Sequence, residues 1–265
     1  MSYETLIYEV SDKVALISLN RPQQLNALNS TLLREINEAL TQAEEDDNVG
    51  AIVLTGEGRG FSSGADITDP NDMPFDEAGK LDLSVALHKR YHPIIERMRG
   101  MPKPIIGAAN GIAAGAGCSL IINADITLAA RSASFLLAFV NIGLVPDAGA
   151  TWLMPQRIGT QRYLGMAMLG EKLPAETAKE WGLIWEVVDD ENLRDEAIKM
   201  ASKLANGPAL SIDRIKRTAY AAAENDLPTQ LNMEADLQRE CGQSEDFTEG
   251  VQAFMQKRPA QFKGR

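Results

Sequence analysis

One acid, Asp147, sits in an otherwise apolar or small stretch, "NIGLVPDAGATWLMP", running from Asn141 to Pro155. An ionised carboxylate is costly to bury unless it is paired or used. Asp147 is therefore a solvated turn residue, a helix cap, or a general base. Two other stretches, "FSSGADI" (61–67) and "NGIAAGAGCSL" (110–120), are rich in glycine and alanine. Residues this small let backbone approach a ligand closely and let successive N–H groups point into one space. Two such segments facing each other can offer two donors to one oxygen, which suits chemistry that makes an enolate from a carbonyl. Small residues also permit tight packing of helix on strand, and "GAGC" taken alone favours that use. It fits neither GxGxxG nor a phosphate-binding loop, since no GK[ST] follows.

These segments need elements to hold them. Leu6, Tyr8 and Val10, then Val14, Leu16 and Ser18, read as two strands around Ser11-Asp12-Lys13. From Ser30 to about Asp46 the period becomes helical, with Leu32, Leu33, Ile36, Leu40 and Ala43 on one face and Ser30 available as N-cap. "AIVLTG" (51–56) and "PIIGAANG" (104–111) are short apolar runs that suit buried parallel strands, and "ITLAA" and "SFLLAF" continue the pattern. Asp69 to about Leu81 is polar, carries two prolines and has no period, which predicts a mobile loop. Residues 82–100 read as a helix interrupted at Pro93. Strands and helices alternate through the first two thirds, which implies an α/β core. After about residue 190 the strands stop. One helix ends at Gly207-Pro208, and three helical patterns follow over about 210–224, 228–242 and 245–257.

The bulk numbers set limits on function. A chain of 265 residues, 45% hydrophobic and 24% charged, suffices for one large domain or a domain with an extension. Lys and Arg total 26 against 37 Asp and Glu, so the net charge is 26 − 37 = −11. That balance argues against a nucleic-acid surface. Cys118 and Cys241 show no CxxC or Cys/His spacing, which supports neither a disulfide framework nor a zinc site. The first residues lack a basic region, a long apolar run and a small-residue cleavage site, and no window holds eighteen uninterrupted apolar residues. The expectation is a reduced, cytoplasmic protein with no membrane or nucleic-acid partner.

Other reactive residue types have plainer uses. Asp66 braces or caps its loop more readily than it serves as a second acid. His88 and His92 stand four apart on a helix, but no third ligand is in view, so no metal is expected. Cys118 and Ser119 have no evident activating base, although the Ser119 hydroxyl could bond a substrate.

The order of motifs is more specific than any one of them. "NRPQQLNAL", "AIVLTGEGRGFSSGADI", "KPIIGAANGIAAGAGCSL", "ADITLAARSASF" and "GLVPDAGATW" follow one another, with "GEKLPAETAKEWGLIWEVV" and "EGVQAFMQKRPAQF" behind them. Together they resemble the crotonase (enoyl-CoA hydratase/isomerase) family over essentially the whole chain. The resemblance implies a ββα spiral core over residues 1–190, which binds and transforms an acyl-CoA. It also implies a C-terminal helical region, residues 191–265, for oligomerisation and closure of the CoA pocket. A homo-oligomer, trimer or dimer of trimers, is implied, with no cofactor other than the coenzyme A carried by the substrate.

By the same resemblance, the N–H groups of Ala65 and Ala116 hold the thioester oxygen, and Asp147 flanks the acyl pocket. Ser63, Gly64, Asp66, Ile67, Gly115, Ser119 and Phe139 line the substrate. Arg21, Gln23 and Leu25 lie near the adenine and pantetheine end. Phe254 and Lys257 come from the C-terminal tail, of this chain or of a neighbouring subunit. Hydratases of the family use two glutamates, at the positions held here by Ser119 and Phe139. With both absent, neither water activation nor proton delivery to carbon has its usual group. A single carboxylate suffices for a 1,3-proton shift, and Asp147 is that carboxylate. "LVPDAGATWLMP" with "LGEKLPAETAKEWGLIWEVVDDENL" is most similar to the branch of the family acting in phenylacetate catabolism. That branch converts 1,2-epoxyphenylacetyl-CoA to oxepin-CoA, and its relatives shift β,γ double bonds to α,β. The alternatives are a hydratase with an atypical active site and a non-catalytic CoA-binding subunit.

Overall fold

A computed structural model describes residues 3–68 and 73–264. The hairpin of β1 (Leu6–Ser11) and β2 (Val14–Leu19) turns through Asp12 and Lys13, both at positive φ. Two such residues match the twist of the flanking strands. β2 and β3 (Ala51–Gly56) are buried along their whole length. β5 (Ile105–Ala109), β7 (Ile126–Ala130) and β10 (Glu186–Val188) join them in parallel, and the six-stranded sheet runs β1-β2-β3-β5-β7-β10. Parallel strands covered on both faces are unbroken apolar runs, which is why "AIVLTG" and "IIGAA" do not alternate. The intervening strands form a second sheet. β4 (Gly60–Ser62), β6 (Ile112–Ala114) and β8 (Ser134–Leu136) lie parallel, and β9 (Leu173–Pro174) closes the edge antiparallel. Each circuit of the chain thus lays one strand in the large sheet and the next in the small one. This is the expected ββα spiral.

The helices fill the gaps between circuits. α1 (Ser30–Glu45) buries Leu32, Leu33, Ile36, Leu40 and Ala43. Its N-cap is Asn29 rather than Ser30, because the Asn29 side chain accepts the Leu32 N–H at 2.9 Å. α2 (Leu83–Ala86) and α3 (His92–Gly100) are joined by a π-helical turn, Leu87–Tyr91. The helical run is unbroken from 83 to 100, and its irregularity falls in the turn just before Pro93, whose ring and missing N–H the regular α-helical ladder cannot accommodate. Of the expected mobile loop, residues 69–72 lie outside the described residues. The rest carries a Phe75–Leu81 bridge, and the Asp76 carboxylate accepts the N–H groups of Ala78 and Lys80. α4 (Ala116–Ile122), α5 (Ala150–Ile158), α6 (Thr160–Leu169) and α7 (Ala175–Glu180) complete the spiral.

α8 (Leu193–Ala205) buries Leu193, Ala197 and Ala201 and packs on β2, β3 and β5. α9 (Ala209–Ala221), α10 (Leu227–Gly242) and α11 (Glu245–Gln256) pack on one another in sequence, and α10 buries none of its residues. One buried cluster anchors α9. Lys216 Nζ lies 3.0 Å from Asp125 Oδ2 and donates to the carbonyls of Met98 (2.8 Å) and Lys103 (3.3 Å). The Tyr220 hydroxyl donates to the other oxygen of Asp125, and the Ile105 N–H donates to Asp125 Oδ2 at 2.7 Å. The Arg99 guanidinium stacks 3.5 Å above the Tyr220 ring. Burial lowers the Lys216 pKa and outweighs the opposing pull of Asp125.

Removing one partner of such a pair strands the other charge in a desolvated site. Asp125→Ala is expected to destabilise the fold by about 3–5 kcal/mol, read from the urea midpoint at constant m-value.

Candidate active site

Three parallel strands of the small sheet end side by side, in the order β4, β6, β8. The segment Ser63–Ile67 follows β4, Gly115–Gly117 follows β6, and Leu137–Asp147 follows β8. The sheet gathers at its carboxyl edge three segments that are far apart in sequence, and that edge is where α/β folds place ligands.

The first two segments touch. Gly64 has φ +97°, and a Cβ there would stand 2.8 Å from the Ala114 carbonyl oxygen and 3.5 Å from the Ala116 nitrogen. Gly115, at φ +50°, caps α4 at its N-terminus. Four neighbouring N–H groups are committed. Ser63 donates to Leu25 O (2.9 Å), Gly64 to Ser62 Oγ (3.2 Å), Asp66 to Leu28 O (3.0 Å) and Gly115 to Leu136 O (2.8 Å). Among the described residues, the N–H groups of Ala65 and Ala116 pair with no protein acceptor. For Ala116 this follows from its place as the first residue of a helix. Gly117 serves the plainer purpose: a methyl there would stand 2.6 Å from Ser62 Cβ, so its absence lets α4 lie on β4.

Side chains overlooked in the sequence hold these loops. Asn26 is fully buried at φ 54°. Its Oδ1 accepts the Arg21 N–H (2.8 Å), and its Nδ2 donates to the carbonyls of Glu57 (3.0 Å) and Gly60 (2.9 Å). Ser62 Oγ donates to Asn26 O at 2.8 Å. Its only sequence signal is an asparagine beside a turn, a residue that tolerates left-handed backbone. Arg21 pairs with Asp66 at 2.9 Å and also donates to Ala27 O. Asp66 further accepts the Thr68 hydroxyl (2.7 Å) and N–H (3.2 Å). Bonds from Thr68 first, then Arg21, hold its carboxyl below the usual range. Neither group is a free charge.

Asp147 is different. Its Oδ1 is buried with no hydrogen-bond partner, and desolvation alone pushes its pKa up from 3.8 to about 6. It does not cap α5, whose N-cap is Gly149 with no side-chain bond. The turn behind it is left-handed at Ala148 (φ 47°) and Gly149 (φ 82°). For a residue with a Cβ that conformation costs about 1–2 kcal/mol. Asn123, just beyond α4, donates from Nδ2 to both Ser119 O (2.7 Å) and Ala148 O (3.1 Å).

The remaining residues divide into two groups. Ser119 is buried, its hydroxyl 3.4 Å from Gly115 O. Phe139 is buried in the core cluster and accepts the Leu144 N–H on its carbonyl. Burial pushes the Cys118 thiol up to about 12, which suits a packing residue rather than a nucleophile. His88 and His92 meet edge to face, ring centres 5.0 Å apart. Leu25 lies at φ 49° beside Ser63, whereas Gln23 and Ile67 are exposed. Phe254 and Lys257 are exposed on and after α11, which packs on α10. A groove of about 650 Å³ runs along α9 and α10 past Ser211, Arg214, Ile215, Leu231 and Cys241, and includes none of the β4–β6–β8 loops.

Residues 9–265 match the family described as enoyl-CoA hydratase/isomerase. A 1,2-epoxyphenylacetyl-CoA isomerase of Escherichia coli K12 is 45% identical over 262 residues, covering 99% of each chain. A probable enoyl-CoA hydratase of Rhodobacter capsulatus is also 45% identical, over 265 residues and 100% of both chains. Among solved structures, the enoyl-CoA hydratase of Bacillus anthracis superposes with a TM-score of 0.92 at 33% identity, covering 99% of this chain and 100% of that one.

The raised pKa of Asp147 has a consequence for stability. Between 3.8 and about 6 the folded protein binds more protons than the unfolded chain, so this group's contribution falls as pH rises through that window. Above it the cost is on the order of 2–3 kcal/mol. Asp147→Asn escapes the titration. Its stability relative to the parent is expected to grow from about pH 4 to 6 and then level off, as followed by denaturant midpoints at each pH.

Proposed function

This chain belongs to the enoyl-CoA hydratase/isomerase family and is an enzyme of it, and on that premise we propose that it isomerises acyl-CoA thioesters by proton transfer, with Asp147 as the single general base. The observation that carries the reading is the half-buried Asp147 carboxyl, whose Oδ1 is out of solvent and unpaired and whose pKa desolvation raises to about 6. A base with a pKa near the working pH combines availability with driving force. The carboxylate takes a proton from the α-carbon of a β,γ-enoyl thioester. The electrons move onto the thioester oxygen, which accepts from the free N–H groups of Ala65 and Ala116. Asp147 then returns the proton to the γ-carbon, leaving the α,β-enoyl product. Nothing in this cycle requires a metal or redox cofactor. Ser119 and Phe139 leave water without an activating carboxylate and keep the acyl side dry.

The 45% identity to the isomerase named above supports 1,2-epoxyphenylacetyl-CoA as the first substrate to assay. Hydration is the second reading, supported by the name of the equally similar Rhodobacter relative. Robust turnover of crotonyl-CoA would favour it. A homo-oligomer, trimer or dimer of trimers, is also proposed. Its support is the apolar surface of the last three helices: Ile215, Leu227, Leu231, Phe247, Phe254 and Met255 are all more than half exposed. Light scattering at micromolar concentration is expected to give three or six copies, and a monomer would refute it.

Asp147→Asn is expected to lower kcat by about 10²- to 10⁴-fold with CoA-thioester binding nearly unchanged, the signature of an interaction made in the transition state. In the parent, the rate should rise with pH up to about 6 and then plateau, because the base acts deprotonated. Full turnover by the variant on every substrate the parent accepts would sink the reading.

A further inference from the structure

Asn123 lies between the two halves of the site. It directly follows α4, the helix that begins at Ala116, and is only 2% exposed. One amide hydrogen goes to Ser119 O on that helix (2.7 Å) and the other to Ala148 O (3.1 Å), just past Asp147. A Cβ on Gly149 would stand 3.4 Å from Asn123 Nδ2 and 3.5 Å from its Oδ1, so the side chain packs along the whole left-handed pair. We propose that Asn123 is a positioning residue, which holds the Asp147 turn in register with the helix that supplies the Ala116 donor. The proposal rests on the reading of Asp147 as the base.

Asp147 has no polar anchor on its buried oxygen, so the surrounding backbone sets where that oxygen stands. The Ala150 N–H to Asp147 O bond (3.1 Å) lies within the turn and moves with it. The Asn123 bond comes from outside, and it fixes the carbonyl of the residue whose backbone conformation is least favoured. Without it, residue 148 is free to relax to negative φ and carry the carboxylate away from its place. Proton transfer depends steeply on such placement, since a shift near 1 Å can cost about 10²-fold.

The test uses the full chain and the CoA thioester that the parent turns over fastest among β,γ-enoyl-CoA, 1,2-epoxyphenylacetyl-CoA and crotonyl-CoA. Asn123→Ala is expected to lower kcat by about 10- to 100-fold with KM near the parent value. The acid limb of its pH–rate profile should move from about 6 toward 3.8 as the carboxyl gains solvent. Adding Ala148→Gly, which removes the Cβ penalty of the left-handed turn, should recover much of the lost kcat. Asn123→Ser serves the same comparison if the alanine variant does not fold. Its hydroxyl can bond back to Ser119 O but is too short to reach Ala148. A variant that only melts earlier, with kcat and the acid limb unchanged, overturns the proposal, as does a double variant as slow as the single one. Asp147→Asn run in parallel separates the two failures. Turnover retained there removes the base and this proposal together, whereas turnover lost there but intact in the Asn123 variants removes the positioning role alone.

Discussion

An unpaired carboxyl inside a protein is tolerated only where the surrounding structure holds it there, and Asp147 is such a group. Its raised pKa has one cause, desolvation, with no neighbouring charge. The fold therefore gives up stability at neutral pH to keep the group dry. Everything around it is arranged to stop relaxation: a left-handed Ala148, a left-handed Gly149, and an asparagine amide on the Ala148 carbonyl. A solvated or salt-bridged aspartate would be more stable in place but a weaker base.

The other half of the site follows a different logic. Ala65 and Ala116 offer backbone N–H groups, which need no tuning of charge but need exact loop shape. The shape is fixed by the edge of a small parallel sheet and by contacts from far along the chain. Asn26 and Ser62 tie the 21–28 segment to the loop after β4, and the Arg21–Asp66 pair locks its far side. Local hydrogen bonds consume the N–H groups of Ser63, Gly64, Asp66 and Gly115 and leave those of Ala65 and Ala116 without a protein acceptor.

Much of this was legible in the sequence, for identifiable reasons. β3, β5 and β7 showed as apolar runs because both their faces are covered. α1 showed through its single apolar face, though its cap lay one residue earlier, since Asn29 and Ser30 are both good caps and only the bond to Leu32 separates them. The π-helical turn at Leu87–Tyr91 was not legible. Pro93 marked the place, since a proline within a helical run disturbs the turn before it, but not the form that the disturbance takes. At the site, Asp147 stood out as an acid in apolar company, but the bond from Asn123 to the turn that follows it is made only in the fold. Asn26 gave only the weak signal of an asparagine beside a turn, and Asn123 gave none. Their partners are more than twenty residues away, at Glu57, Gly60 and Ala148. Arg21, expected near the adenine and pantetheine end, also pairs with Asp66, a partner the sequence did not reveal.

The contact between Gly64 and the backbone at Ala114 and Ala116 leaves no room for a side chain between the two donor loops. On the proposed reading, the part of the site that holds the thioester oxygen is written entirely in main chain, and the acid–base part in side chains at 119, 139 and 147. The two can vary independently. By that reading, exchanging residues at those three positions would alter which proton moves, or whether water adds, while the grip stays as it is. A frame divided in this way can host a range of reactions on one kind of substrate, and the reaction of any given member is then decided by very few residues.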